Sequence, residues 1–187
     1  SDTTICDSQT VRTFFEKRYG AKIHYIPYGA KHIESVSDVY KTFGLEHRNY
    51  FIFVGRLVPE KGVECLLEAY NMLSTDLPLV IVGDNEDDPE YVASLHRHAG
   101  NNVRFFGYRY GDEYESLLLH SCLYITASKL EGTSPSLLAA MGAHVCCLVN
   151  SIPENRETGG DSVVYFNGTS QDLLAKLELL IEHPRNH

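Results

Sequence analysis

Glu131 opens a polar turn, Glu131-Gly-Thr-Ser134, that runs into Pro135 and an apolar, Ala-rich segment ending at Gly142. Pro135 suits the first turn of a helix, because the amide it lacks would be unpaired there anyway. The turn therefore feeds a helix amino terminus. Free backbone N–H groups at Thr133 and Ser134, backed by the positive end of the helix dipole, would attract an anion, most simply a phosphate. A carboxylate beside a phosphate is repelled by it, so Glu131 is expected to take a neutral partner such as a sugar hydroxyl, from which it can only accept hydrogen bonds. An ordinary capped helix with a surface glutamate is the competing reading of the same residues.

A second constellation is Val54-Gly-Arg-Leu-Val-Pro-Glu-Lys-Gly62. Gly55 allows close backbone approach, while Arg56 and Lys61 put a planar fork and a point charge on one turn. Two cations at the carboxyl end of a strand in an acidic protein point to a diphosphate. A surface ion pair of Arg56 with Glu60 or Glu64 is the alternative. In Phe105-Phe-Gly-Tyr-Arg-Tyr110, the glycine and the aromatic side chains around Tyr108 and Arg109 suit stacking on a nucleobase, with aromatic packing at a loop as the plainer account. The acidic run Val82–Pro89 lacks the ligand order of a calcium loop and reads as solvated. G-x-G-x-x-G, the P-loop pattern, H-E-x-x-H and C-x-x-C do not occur, which disfavours a standard dinucleotide dehydrogenase, a P-loop NTPase and common zinc sites. The nine histidines have no metal-ligand spacing.

These turns need elements to hold them. The 187 residues suffice for one domain with a real core plus a fragment of another. Thr3–Cys6 reads as a strand, Asp7 or Ser8 as a cap, and the following amphipathic helix carries Phe14, Phe15 and Tyr19 before Gly20 stops it. Ile23–Ile26 is a second strand. A polar linker from Pro27 to Ser35 and a short helix over Val36–Phe43 follow, with the domain boundary near Pro27 (1–27, then 28–187). From Tyr50 strands and helices alternate strictly: Tyr50–Val54, helix Gly62–Leu73, Leu79–Val82, helix Pro89–His98, Val103–Phe106, helix Asp112–His120. Then come Leu123–Thr126, helix Ser134–Met141, Val145–Val149, a short helix near Glu154, Val163–Phe166 and helix Ser170–Glu182. Nearly continuous apolar strands require a sheet covered on both faces. The expected fold class is α/β, a Rossmann-like doubly wound parallel sheet, whose ligands bind beyond the carboxyl ends of the strands.

A net charge of −9 with interspersed signs argues against a nucleic-acid surface. Five cysteines without paired spacing fit buried free thiols and a cytoplasmic location. No apolar run approaches the roughly 18–20 residues of a membrane span, and a signal-peptide pattern is not found. Asn167-Gly-Thr169 is formally a glycosylation acceptor that a cytoplasmic protein would not use.

Taken in order, Ile26-Pro-Tyr-Gly-Ala30, the Gly55–Gly62 turn, Val82-Gly-Asp84, Val103-x-Phe-x-Gly107 and Glu131-Gly-Thr-Ser-Pro-Ser-Leu-Leu138 resemble the group 1 nucleotide-sugar glycosyltransferases of the GT-B fold. The resemblance covers nearly the whole chain and implies the carboxyl-terminal, donor-binding half, with residues 1–27 as the end of a preceding domain and the crossover. It implies Arg56 and Lys61 as the pyrophosphate pair, Gly55 as the glycine that admits the donor, Glu131 on the donor sugar, and Gly132, Thr133 and Ser134 at the phosphates. The family's second glutamate is replaced by Ala139, which removes a ribose contact. Developing charge on the leaving diphosphate would still meet Arg56, Lys61 and the helix terminus.

The strings Gly132–Leu138 and Asn155–Thr158 look closest to a bacterial rhamnosyltransferase-like branch, which implies a deoxythymidine or uridine diphosphate sugar and a role in cell-surface polysaccharide assembly. Membership further implies transfer with retention, no cofactor and no essential metal. The expected partners are a nucleotide sugar, a saccharide or lipid-linked acceptor and the preceding domain, through which any membrane contact would run. The fragment alone is expected to be inactive. A non-catalytic nucleotide-sugar-binding or assembly subunit, and a sugar-nucleotide epimerase of the same fold, are the alternatives.

Overall fold

The computed structural model describes residues 3–33 and 36–182. Residues 34 and 35 of the expected linker lie outside the described residues. Two sheets form, both parallel. The small one pairs β1 (Thr4–Cys6) with β2 (Ile23–Tyr25) around helix α1 (Gln9–Tyr19). Ser8 caps α1 by accepting from the Val11 N–H, and Gly20 ends it in the left-handed conformation, both as expected from sequence. The apolar side of this helix finds no cover: none of its residues is buried, and Phe14 is 61% exposed.

The large sheet has six strands: β3 (Phe51–Val54), β4 (Leu79–Val82), β5 (Val103–Gly107), β6 (Leu123–Thr126), β7 (Cys146–Asn150) and β8 (Val164–Phe166). Their spatial order is β5-β4-β3-β6-β7-β8. The chain thus builds outward in one direction from β3, returns, and builds outward in the other from β6. The expected doubly wound α/β sheet is present. Its order reverses between β3 and β6, the place where such sheets leave a crevice.

Alternation along the strands divides the core in two. Phe51, Phe53, Leu79, Ile81 and Ile125 pack with α2 (Val63–Met72), α3 (Pro89–His98) and α7 (Ser170–Glu182) on one face. Ile52, Val80, Val82, Tyr124 and Val149 pack with α4 (Gly111–Leu119) and α5 (Pro135–Gly142) on the other. The same second face takes Ile33, Tyr40 and Leu45 of the crossover. Helix α6 (Pro153–Gly159) follows β7 and reaches back to the amino-terminal segment. The helix expected over Val36–Phe43 is instead a 3-10 turn, Val39–Phe43, ended by Gly44 in the left-handed conformation. Its backbone is held from outside: the Tyr40 N–H donates to Ser116 Oγ on α4, and that hydroxyl donates to Ser37 O.

Candidate functional site

The turns after β3, β4 and β5 interlock through backbone. The Gly55 N–H donates to Val82 O (3.0 Å), the Leu57 N–H to Asp84 O (3.1 Å) and the Gly83 N–H to Gly107 O (2.8 Å). A Cβ on Gly83, whose φ is +136°, would stand 1.9 Å from Gly55 O, so no larger residue fits without moving the turn. The turn after β3 also lies directly on the turn after β6. There the Lys129 N–H donates to Glu60 O at 2.7 Å, and a Cβ on Gly62 would meet Ala127 O at 2.2 Å. Buried Asn150 steadies this second turn by donating to Ser128 O.

These contacts bring Lys61 and Glu131 together, while Gly55, Arg56, Tyr108 and Arg109 line a neighbouring cavity that Lys61 and Glu131 to Ser134 do not line. Lys61 Nζ lies 2.5 Å from Glu131 Oε1, joining the two turns, and both side chains are largely buried. The sequence leads to the expectation of a sugar hydroxyl for Glu131 and a phosphate for Lys61; here each neutralises the other, because two opposite charges withdrawn from water are costly apart. Arg56 is different. Its guanidinium is exposed and makes no hydrogen bond or ion pair among the described residues, so the alternative pairing with Glu60 or Glu64 is not formed. Gly132, Thr133 and Ser134 lead into α5, where Ser134 is the N-cap, accepting from the Leu137 N–H, and Pro135 is the first helical residue, as expected. The Thr133 hydroxyl donates to Asp7 O (2.8 Å), so the β1–α1 loop touches the site turn.

A cavity of ≈440 Å³ opens at the β3/β6 reversal. Gly55, Arg56 and Gly83 form one wall, Tyr108, Arg109 and Tyr110 a second, and Pro135, Ser136 and Ala139 of α5 a third, with Tyr114 of α4 at the back. Tyr108 is fixed by donating its phenol proton to Asp84 O, and its ring lies 6.2 Å from that of Tyr110 with the planes 20° apart. Arg109 does not reach outward freely. It donates to Tyr108 O, lies 3.6 Å from Glu113 and sits 5.4 Å over the Phe43 ring. Burial pushes the Tyr114 phenol up to about 12, so it stays a neutral hydroxyl.

Gly83 and Ser136 stand inside the sequence motifs but carry no site role there, and Tyr114 stands in none of them. Gly83 had a signal, since it follows β4 as Gly55 follows β3. Tyr114 had none, because the face α4 turns to the cavity depends on distant contacts. A second cavity, ≈510 Å³, lies at the amino-terminal edge of the sheet beside Arg48, Cys122, His144 and Cys146. It holds none of the residues above, and burial pushes its Cys122 thiol up to about 11. Among the described residues no group of three or more His, Cys, Asp or Glu is placed to hold a metal ion, and no helix is long and apolar enough to cross a membrane.

Several known proteins share this architecture. The chain superposes on Anabaena Alr3699/HepE, solved in complex with UDP and glucose, with a TM-score of 0.86 at 22% identity, covering 99% of this chain and 55% of that one. On WaaG, a glycosyltransferase involved in lipopolysaccharide biosynthesis, the TM-score is 0.78 at 20% identity over 96% of this chain and 54% of that one. These likenesses bear out the GT-B type of fold. In sequence, the uncharacterized glycosyltransferase MJ1069 of Methanocaldococcus jannaschii is 34% identical over 123 residues, 62% of this chain and 30% of that protein. O-antigen chain mannosyltransferase B of Escherichia coli is 26% identical over 125 residues, 62% of this chain and 33% of that protein. The chain therefore spans about a third of these relatives' length at the matched region and about half of the solved neighbours. The family model for the glycosyl transferases group 1 matches residues 41–187, which include both turns joined by Lys61 and Glu131, and the chain belongs to that family.

Proposed function

We propose that this chain is the donor-binding half of a glycosyltransferase that moves a sugar from a nucleoside diphosphate sugar to a saccharide or lipid-linked acceptor with retention, in cell-surface polysaccharide assembly. The observation that carries this reading is the cavity at the β3/β6 reversal, where an unpaired Arg56, the α5 amino terminus and a tyrosine platform converge. Arg56 and the α5 N–H groups would hold the diphosphate, with Tyr108 and Tyr110 under the base. When the bond from the anomeric carbon to the diphosphate oxygen breaks, negative charge grows on that oxygen. Fixed cations and helix amides aimed there stabilise it without reorganising. Lys61 would join them by exchanging Glu131 for phosphate, which releases the carboxylate to accept from the donor sugar's hydroxyls.

The Gly132–Leu138 and Asn155–Thr158 strings support a place near the rhamnosyltransferase-like branch, and five free cysteines support a reducing cytoplasmic setting. Residues 1–27 are proposed to belong to a preceding domain. A two-stranded sheet is marginal alone, and Ile5, Phe14 and Tyr19 are left exposed on this one. Without that domain the chain should not turn over.

A second reading, a binding subunit without catalysis, is favoured by Ala139 standing at the cavity wall in place of a carboxylate. Full-length protein assayed with a panel of nucleotide sugars separates the two. Glycosyl transfer or donor hydrolysis supports the enzyme; stoichiometric binding without turnover supports the subunit; no binding of any nucleotide sugar overturns both.

A further inference from the structure

We infer that the cavity takes a 2′-deoxyribonucleoside diphosphate sugar in preference to the ribonucleoside form, an inference that rests on the nucleotide-sugar reading above. With the base on Tyr108 and Tyr110 and the diphosphate at Arg56 and the start of α5, the pentose must lie across the wall between them. That wall is the exposed side of α5, where Pro135 and Ala139, one turn apart, face the cavity. Among the described residues no Asp or Glu lines the cavity.

The carboxylates around the cavity have other work. Glu131 is bound to Lys61 and, once released by the diphosphate, is taken by the donor sugar; Glu113 lies against Arg109, and Asp84 uses one oxygen to accept from the Asn85 N–H. The Ser136 hydroxyl is shared with the Tyr124 phenol (2.9 Å) and Ser134 Oγ (3.3 Å). Tyr114 remains as a neutral hydroxyl at the back of the cavity. A ribose brings two adjacent hydroxyls that both need acceptors on leaving water, and a buried donor without one is penalised. A 2′-deoxyribose brings one, and places a CH₂ against the Ala139 methyl. The cavity thus matches the deoxy sugar in polarity.

The test is calorimetry on the full-length protein with matched pairs of ribonucleoside and 2′-deoxyribonucleoside diphosphates of uracil, thymine, cytosine, guanine and adenine. For the base that binds best, the deoxy form should bind about fivefold tighter or more, the effect of about one net hydrogen bond. In Ala139→Glu, checked for folding by its melting temperature, the ratio should fall or reverse, since a carboxylate there accepts from both ribose hydroxyls. Equal affinities, or a tighter ribose form, in the unaltered protein overturn this inference and leave the nucleotide-sugar reading standing. Failure of every pair to bind overturns both. Should Ala139→Glu not fold, the ratio in the unaltered protein decides alone.

Discussion

Helices α1 and α2 each follow a short parallel strand and each carries a regular apolar pattern. Helix α2 buries Val63, Leu66, Leu67, Ala69 and Tyr70, whereas α1, with Phe14, Phe15 and Tyr19 exposed, has no fully buried residue. Strand β4 is buried throughout while β1 is mostly exposed. The amino-terminal unit thus obeys every local rule that the main sheet obeys, including a serine N-cap and a left-handed glycine stop, without the burial that stabilises the main sheet. Local rules select an element; neighbours supply most of its stability. What holds the amino-terminal unit to the rest is polar: Glu157 of α6 accepts from the Gln9 N–H (2.5 Å), the Thr10 N–H (2.9 Å) and the Ser8 hydroxyl (2.9 Å), and Thr133 donates to Asp7 O.

The sharpest break of this contrast uses one glycine from each region. Gly83→Ala forces a side chain into Gly55 O at a φ of +136° and should destabilise the main domain by about 3 kcal/mol or more, abolishing nucleotide binding with it. Gly20→Ala, also at positive φ but with nothing within 4 Å of the added carbon, should cost only about 1 kcal/mol. Denaturant unfolding of both variants checks the order; equal losses would mean that the interlocked turns are not tight.

Next in size is Arg56→Ala, expected to weaken nucleoside diphosphate binding by about 1.5–3 kcal/mol with little change in melting temperature, because the guanidinium has no structural partner. Lys61→Ala should weaken binding in the same range but also lower stability, since it leaves Glu131 without its partner in a site where that carboxylate is only 8% exposed. Calorimetry that leaves the affinity of both variants unchanged removes the pair from the site.

A smaller effect belongs to the polar junction. Burial alone would raise the Glu157 carboxyl, but the N–H groups of Gln9 and Thr10 and the Ser8 hydroxyl outweigh it and hold its pKa below the usual glutamate value. A depressed acid pKa stabilises the folded state above the unfolded-state value of about 4.3, and that contribution is lost as pH falls through the lower folded-state value. Glu157→Gln should therefore cost about 1 kcal/mol or less near neutrality, the carboxylate being exposed and screened, and should flatten the acid limb of the stability profile. An unchanged acid limb argues against the junction.

The smallest effect is expected for Phe14→Ser. In the 187-residue chain it should shift stability by no more than about 0.5 kcal/mol, as for an exposed position, whereas in the full-length protein it should cost several times more if a preceding domain covers α1. Equal small shifts in both would leave that face uncovered.

Much of this molecule is determined by the sequence alone, where the cause is local. Asp88 caps Pro89–His98 as its polar side chain and the following proline require, Ser8 and Gly20 bound α1, Pro135 opens α5, and the unbroken apolar strands require a sheet with two covered faces. The positions of Arg56, Lys61 and Glu131 in strand-to-helix turns follow from the same pattern. What only the tertiary structure decided depends on residues far apart in the chain. The strand order sets the β3 turn beside the β6 turn, and so pairs Lys61 with Glu131 while leaving Arg56 free. Contact with α4 fixes Val39–Phe43 as a 3-10 turn instead of a longer helix, and the approach of Gly55 O makes Gly83 indispensable. The faces that α4 and α5 present to the cavity belong here too, since Tyr114, Ser136 and Ala139, up to 25 residues apart, are brought together by the one sheet face that both helices cover. Periodicity reports which side of an element is apolar; it carries no information on what will be packed against it, and that neighbour decides both burial and charge pairing.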